Sequence, residues 1–157
     1  MPSEAVIKGG RTRLVPVSEA DLDLLCQWFG DPRVAEFWGG TPMRRDEVAA
    51  KYLGRRRPQV ESFVIYVDAV PIGYIQYSAT GKTSGEMDLV LAPESRGSGL
   101  GPEAASALAR YLLEALGWTR ITVDPDRTND RGIRAWEKAG FRRVERRGMT
   151  LIMELRA

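Results

Sequence analysis

Arg96-Gly97-Ser98-Gly99-Leu100-Gly101-Pro102 follows the apolar run Met87-Asp88-Leu89-Val90-Leu91 and opens a helical pattern from Glu103 to Leu116. Strand, glycine loop and helix N-terminus in that order form an anion cradle. Glycine lets the backbone approach a ligand, the first amides of a helix have no partner within it, and the helix dipole favours negative charge there. Arg96 adds a guanidinium suited to a phosphate oxygen. The loop lacks the Gly-Lys-Ser/Thr ending of a P-loop. Three or four strands precede it, whereas a dinucleotide fingerprint sits on the first strand of a βαβ unit.

The flanking sequence gives the architecture. Thr12 to Val17 reads as a strand. Ser18 precedes Asp21 at capping-box spacing, and Leu22, Leu25, Cys26 and Phe29 set a helix over Glu19 to Phe29. Val34 to Trp38 reads as a helical turn and Arg45 to Leu53 as another helix. Ser62 to Val67 and Ile72 to Ser78 form a hairpin linked by Asp68-Ala69-Val70-Pro71. Glu86 to Leu91 leads into the glycine loop, and Gly117 ends the helix that follows. Arg120 to Val123 is a strand, Gly132 to Ala139 a helix, and Phe141 to Glu145 and Thr150 to Leu155 are two closing strands. Antiparallel runs with two crossover helices predict an α+β fold with a mixed α/β sheet, in one domain over residues 1–157.

Composition excludes several chemistries. The 157 residues hold no histidine and one cysteine. Histidine bases, Ser-His triads, histidine metal sites, cysteine zinc clusters and intrachain disulfides are therefore out, and no metal is expected. Cys26 falls on the apolar face of its helix and reads as a structural thiol. A net charge of +2 gives no argument for nucleic acid. The clusters Arg55-Arg56-Arg57, Arg142-Arg143 and Arg146-Arg147 read as solvated surface or as local anion sites. Met1 to Gly10 has no signal-like apolar segment and no run is of membrane-spanning length, so a cytoplasmic protein is expected.

Arg96-x-x-Gly99-x-Gly101 resembles the pyrophosphate-binding motif of the GCN5-related N-acetyltransferases (GNAT). Asn129-Asp130-Arg131-Gly132-Ile133-Arg134-Ala135-Trp136-Glu137-Lys138-Ala139-Gly140-Phe141 resembles that superfamily's second signature. The N-terminal half is similar to aminoglycoside 6'-N-acetyltransferases. Glu36-Phe37-Trp38-Gly39-Gly40 resembles their Glu-Trp-Trp-Gly-Gly element, and Pro71-Ile72-Gly73-Tyr74-Ile75-Gln76 their Pro-Ile-Gly-Tyr-x-Gln strand. Gly85-Glu86-Met87-Asp88 and Thr122-Val123-Asp124-Pro125 stand at the family's two acidic elements, the second with a shifted position.

The resemblance implies a GNAT fold and acetyl-CoA as cosubstrate. Its diphosphate would lie on Arg96, Gly97, Ser98, Gly99, Leu100 and Gly101. Its pantetheine arm would pair with Leu89, Val90 and Leu91 and meet Asn129 and Trp136. Without histidine, carboxylates are the candidates to accept the amine proton, directly or through water. Asp88, which matches the family's acidic residue on that strand, is the candidate general base or the group that orients the amine, with Glu86 two residues away on the same strand face. Glu36, Trp38, Gln76 and Asp124 are the candidate acceptor contacts, with Tyr74 secondary. A polycationic acceptor further predicts that Glu36, Glu86, Asp88, Asp124 and Asp126 cluster.

Two departures from the pattern stand out. Trp136 replaces a family tyrosine proposed to protonate the leaving thiolate, and an indole N–H is no useful acid. Gly132 replaces an alanine, which is expected to loosen the helix start. The implied activity is acetylation of an aminoglycoside, at the 6'-amino group, by a monomer or homodimer without nucleic-acid or membrane partners. Acetylation of a siderophore-type lysine, a polyamine or a protein N-terminus is the enzymatic alternative. A coenzyme A-binding module without acceptor chemistry is the other.

Overall fold

A computed structural model describes residues 5–157, so the first four residues of the Met1–Gly10 segment lie outside the described residues. Eight strands form one sheet: β1 (Ile7–Lys8), β2 (Thr12–Pro16), β3 (Val60–Val67), β4 (Val70–Ala79), β5 (Ser84–Leu91), β6 (Arg120–Val123), β7 (Arg142–Arg147) and β8 (Thr150–Arg156). Their order is β1-β2-β3-β4-β5-β6-β8-β7, and β5–β6 is the one parallel neighbour pair among the described residues. The helices are α1 (Leu22–Phe29), α2 (Pro32–Ala35), α3 (Arg45–Tyr52), α4 (Leu100–Arg110) and α5 (Asp130–Lys138). This is the mixed, mostly antiparallel sheet that the strand and helix order predicts.

Strand alternation sorts the side chains into two cores. Phe63, Ile65, Ile75, Tyr77 and Met87 meet Ala104, Leu108 and Leu112 on one face. Val64 and Tyr74 meet Leu25, Phe29, Val48 and Tyr52 on the other. Both faces of β3 and β4 are covered, which explains why their runs read as nearly continuous apolar sequence.

Several boundaries differ from the sequence expectation. β1 was not expected; two residues carry little periodic signal, and Gly9-Gly10 turn it back onto β2. The β3–β4 turn is only Asp68-Ala69, with Asp68 in the left-handed region at φ 53°. Helix α4 begins at Leu100, inside the glycine motif, which makes Pro102 the third helical residue. Its missing N–H breaks no intrahelical bond there, because first-turn amides have no intrahelical acceptor, but it removes one possible donor to a ligand. Downstream the helix widens into a π turn over Tyr111–Ala115 before Gly117 ends it at φ 70°.

The basic strand β7 is exposed along its whole length at the sheet edge, a placement that discourages edge-to-edge pairing. Its arginines are partly neutralised: Arg142 pairs with Glu154, Arg143 with Glu137 and Arg147 with Glu145.

Candidate active site

The site begins where two strands part. β5 and β6 pair only at Ser84–Arg120, Gly85–Ile121 and Glu86–Thr122. β5 continues to Leu91 while β6 ends at Val123. Beyond Glu86 the β5 backbone therefore has a free edge among the described residues. An extended amide-bearing arm can hydrogen-bond to such an edge as an added strand.

A cleft of about 510 Å³ opens along that edge. Leu89, Val90 and Leu91 line one wall, and Arg96, Gly97, Gly99 and Gly101 the loop end. Gly97 and Gly99 hold φ of 88° and 78°, which glycine adopts without strain. Five cations border the cleft: Arg33, Arg96, Arg131, Arg134 and Lys138. Arg96 Nη2 donates to the Arg33 carbonyl at 3.1 Å, tying α2 to the glycine loop. Burial, then repulsion from Arg131 and Arg33, pulls Arg96 below its ordinary value. Crowded cations beside glycine amides and a helix N-terminus suit a multiply charged phosphate ligand.

A second cavity of about 350 Å³ shares Phe37, Trp38, Leu89, Asn129, Gly132 and Ala135 with the first. Its charged lining is entirely acidic: Asp88, Asp124 and Asp126. Asp88 faces it from β5, directly across from Gln76 on β4, and Gln76 Nε2 donates to Asp88 Oδ2 at 3.1 Å. Burial, then the charge of Asp124, pushes Asp88 up to about 7, against the lowering hydrogen bond from Gln76. Desolvation also raises Asp124. A carboxylate poised near neutrality is suited to take a proton from an amine.

Aromatic packing builds the remaining wall. Phe29 stacks on Tyr52 at 4.4 Å between ring centroids, and Trp38 Nε1 donates to Tyr52 Oη at 2.8 Å. Trp38 thus belongs both to the second core and to the cavity lining, so its two sequence readings hold together.

The expected site residues divide. Asp88, Gln76, Asp124 and Trp38 meet at the second cavity, as does Asp126. Glu36 is exposed on the cationic cleft instead, and Glu86, though on the Asp88 face of β5, is exposed and lines neither cavity. The predicted five-acid cluster is therefore three acids; β6 still pairs with β5 at Glu86, so the opening starts past it. Tyr74 is fully buried beneath the site, with its hydroxyl on Gln76 Oε1 at 2.6 Å.

On the cofactor side, Ser98 and Leu100 do not line the cleft. The Ser98 carbonyl accepts from Arg11 at 3.1 Å and Leu100 packs on the first core. Asn129 caps α5 through Gly132 N at 3.0 Å and lines both cavities. Trp136 lines the acidic cavity rather than the cationic one, its ring against Phe141. At Gly132 a Cβ would come within 2.5 Å of Asn129 Nδ2, so this glycine makes room for the capping side chain rather than loosening the helix start.

Sequence reasoning missed Tyr52 and the basic face of α5. The latter was readable: Arg131, Arg134 and Lys138 fall at i, i+3 and i+7, one helical face. No cluster of metal-binding side chains occurs among the described residues, and no helix among them is long and apolar enough to cross a membrane.

Comparison with known proteins agrees with this geometry. Residues 11–142 match the acetyltransferase (GNAT) domain family. The chain is 34% identical over 144 residues to the aminoglycoside N(6')-acetyltransferase type 1 of Klebsiella pneumoniae, covering 81% of this chain and 72% of that protein; the Serratia marcescens protein of that name matches equally. A structure of AAC(6')-Ib with ribostamycin and coenzyme A superposes with a TM-score of 0.85 at 26% identity, covering 92% of this chain and 93% of that one. The spermidine N-acetyltransferase from Vibrio cholerae, at 17% identity, shares the fold with a TM-score of 0.82 over 93% of this chain and 95% of its own. With its glycine-rich cradle, splayed β5–β6 edge and neighbouring acidic cavity, the chain belongs to the GNAT family of N-acetyltransferases.

Proposed function

We propose that the whole chain acts in the cytoplasm as one acetyltransferase domain, moving the acetyl group of acetyl-CoA onto the 6'-amino group of an aminoglycoside and so conferring resistance. The observation that carries this reading is the segregation of charge. Five cations outnumber two acids, Glu36 and Asp130, around the glycine-loop cleft, and only acids occupy the charged positions of the adjoining cavity. An anionic cosubstrate and a polycationic acceptor are thereby sorted to opposite ends of one opening. The named activity of the Klebsiella pneumoniae relative fits that sorting.

When bound, acetyl-CoA supplies an activated thioester. Arg33, Arg96, Arg131, Arg134 and Lys138 neutralise its phosphates, while the backbone at Gly97, Gly99 and Gly101 cradles the diphosphate. The free edge of β5 at Leu89–Leu91 orients the arm, and its amides polarise the thioester carbonyl. Asp124 and Asp126 hold ammonium groups of the acceptor, and Trp38 offers a flat surface for a sugar ring. Asp88 takes one proton from the reacting ammonium. The neutral amine attacks the carbonyl carbon, a C–N bond forms and the C–S bond breaks. The second nitrogen proton goes to sulfur directly or through water, because Trp136 offers no acidic hydroxyl.

Free-thiol release from acetyl-CoA, measured across kanamycin, spermidine and lysine, tests the reading, with NMR of the product locating the acetyl group. Release with kanamycin and a 6'-acetamide supports it. Release confined to spermidine or lysine reassigns the acceptor, and binding without release removes the catalytic claim.

A further inference from the structure

The three adjacent arginines after α3 do different things. Arg55 pairs with Glu19 at 2.6 Å on the surface. Arg57 bridges Glu61 at 3.1 Å and the Val17 carbonyl at 3.0 Å. Arg56 turns inward. Its Nε donates to the Lys51 carbonyl at 2.8 Å, its guanidinium lies 5.5 Å from the Tyr52 ring centroid, and its Nη2 donates to Gln76 Oε1 at 3.2 Å. A cation so close to an acidic acceptor cavity calls for an explanation, because it opposes the binding of a polycation.

The explanation lies in the orientation of one amide. Gln76 is a planar group with an acceptor at one corner and a donor at the other. Asp88 needs the donor while it is ionised. The Tyr74 hydroxyl cannot enforce this, since a hydroxyl can either donate or accept, and Ser62 Oγ at 2.7 Å can serve it in either sense. Arginine has donors only. With Arg56 in place, Gln76 Oε1 must face it, Tyr74 donates to the same oxygen at 2.6 Å, and Nε2 is left for Asp88 at 3.1 Å. If the amide were reversed, Nε2 would meet the guanidinium and Oε1 would meet Asp88, an arrangement that suits only a protonated acid.

We propose that Arg56 is a positioning residue for acetyl transfer, locking the Gln76 amide so that it supports Asp88 as an ionised proton acceptor. The proposal rests on the assignment of Asp88 as base. The groups facing Asp88 are Gln76 from β4, Glu86 from its own strand, Asp124 beyond β6, and Tyr52, Tyr74 and Arg56 on the other side of the network. The two carboxylates favour its protonated form, while Gln76 and Arg56 oppose them. Without Arg56 the amide is free to reverse, and the protonated acid gains a partner.

The test is the pH profile of kcat/KM, with acceptor at low concentration, for Arg56→Met, Arg56→Lys and Arg55→Met. Arg56→Met should move the acidic limb upward by roughly 0.5–1 pH unit. The deficit should be about 3- to 10-fold below the limb and vanish well above it. Arg56→Lys, which keeps a charge and donors, should return the limb most of the way to its native position, and Arg55→Met should leave the profile unchanged. If Arg56→Met does not fold, Arg56→Gln removes the charge at smaller cost and is read the same way. An unmoved limb, or a loss equal at every pH, overturns the proposal. Asp88→Asn separates the two claims. If it keeps full kcat, the base assignment has failed; if it is slow while the Arg56 variants leave the limb in place, only the role of Arg56 has failed.

Discussion

Gln76 Nε2 and Asp88 Oδ2 meet at 3.1 Å across a directly opposed pair of residues on β4 and β5. The hydrogen bond favours the ionised carboxylate against burial and the charge of Asp124, and the balance leaves Asp88 at about 7. As a consequence, kcat/KM should fall about tenfold per pH unit below an acidic limb near 7. A rate measured from pH 5 to 9 checks this, and a flat profile down to pH 5 would contradict it.

The same carboxylate should cost stability. Its folded value of about 7 lies above the ordinary 3.8, so the folded state holds the proton more tightly and stability declines as pH rises through that window. About 1–2 kcal/mol remains after allowing for solvent screening of a group that is not fully enclosed. Asp88→Asn should therefore raise Tm by about 3–6 °C at pH 8, and by little at pH 4. Calorimetry at the two values checks the sign.

The cationic cleft predicts a selective effect. Replacing Arg134 and Lys138 together by Gln should raise the KM for acetyl-CoA by roughly 10- to 100-fold. The acceptor KM should change little, since neither residue lines the acidic cavity. Steady-state kinetics with each substrate varied in turn separates the two.

Gly99 caps α4 at φ 78°, where a side chain is strained. Gly99→Ala should weaken coenzyme A binding about 5- to 20-fold by tilting the loop amides. Gly101→Ala meets Leu91 and Leu89 only at 3.5 and 3.6 Å and should fold normally. Titration calorimetry with coenzyme A reads both.

Away from the site, Glu154 is 3% exposed and is held by Arg120, Arg156 and Arg142. Hydrogen bonds from Arg120 and then Arg156 hold its carboxyl down at about 2, against an ordinary 4.5. Its stabilising contribution is present above the ordinary value and is lost as pH falls towards 2. Glu154→Gln should lower Tm at pH 7, with the difference narrowing towards pH 3.

Much of this was legible because local sequence carried it. The glycine loop, the Pro71–Gln76 strand and Asp88 each lie in a segment whose periodicity and motif agree. What was hidden depends on long-range geometry. Glu86 and Asp88 share a strand face, and only the point at which β6 leaves β5 excludes one from the cavity. Tyr52 sits on a short helix with a weak apolar pattern, and its partner Trp38 is fourteen residues away. Arg55, Arg56 and Arg57 are indistinguishable as a triplet, because their directions are set by Glu19, Gln76 and Glu61 on other elements.

The most direct measurement is kcat of Asp88→Asn against the native chain, with kanamycin as acceptor at pH 8 and saturating acetyl-CoA. A base at Asp88 predicts a loss of roughly 10²- to 10⁴-fold with coenzyme A affinity retained. An unchanged kcat would contradict the account.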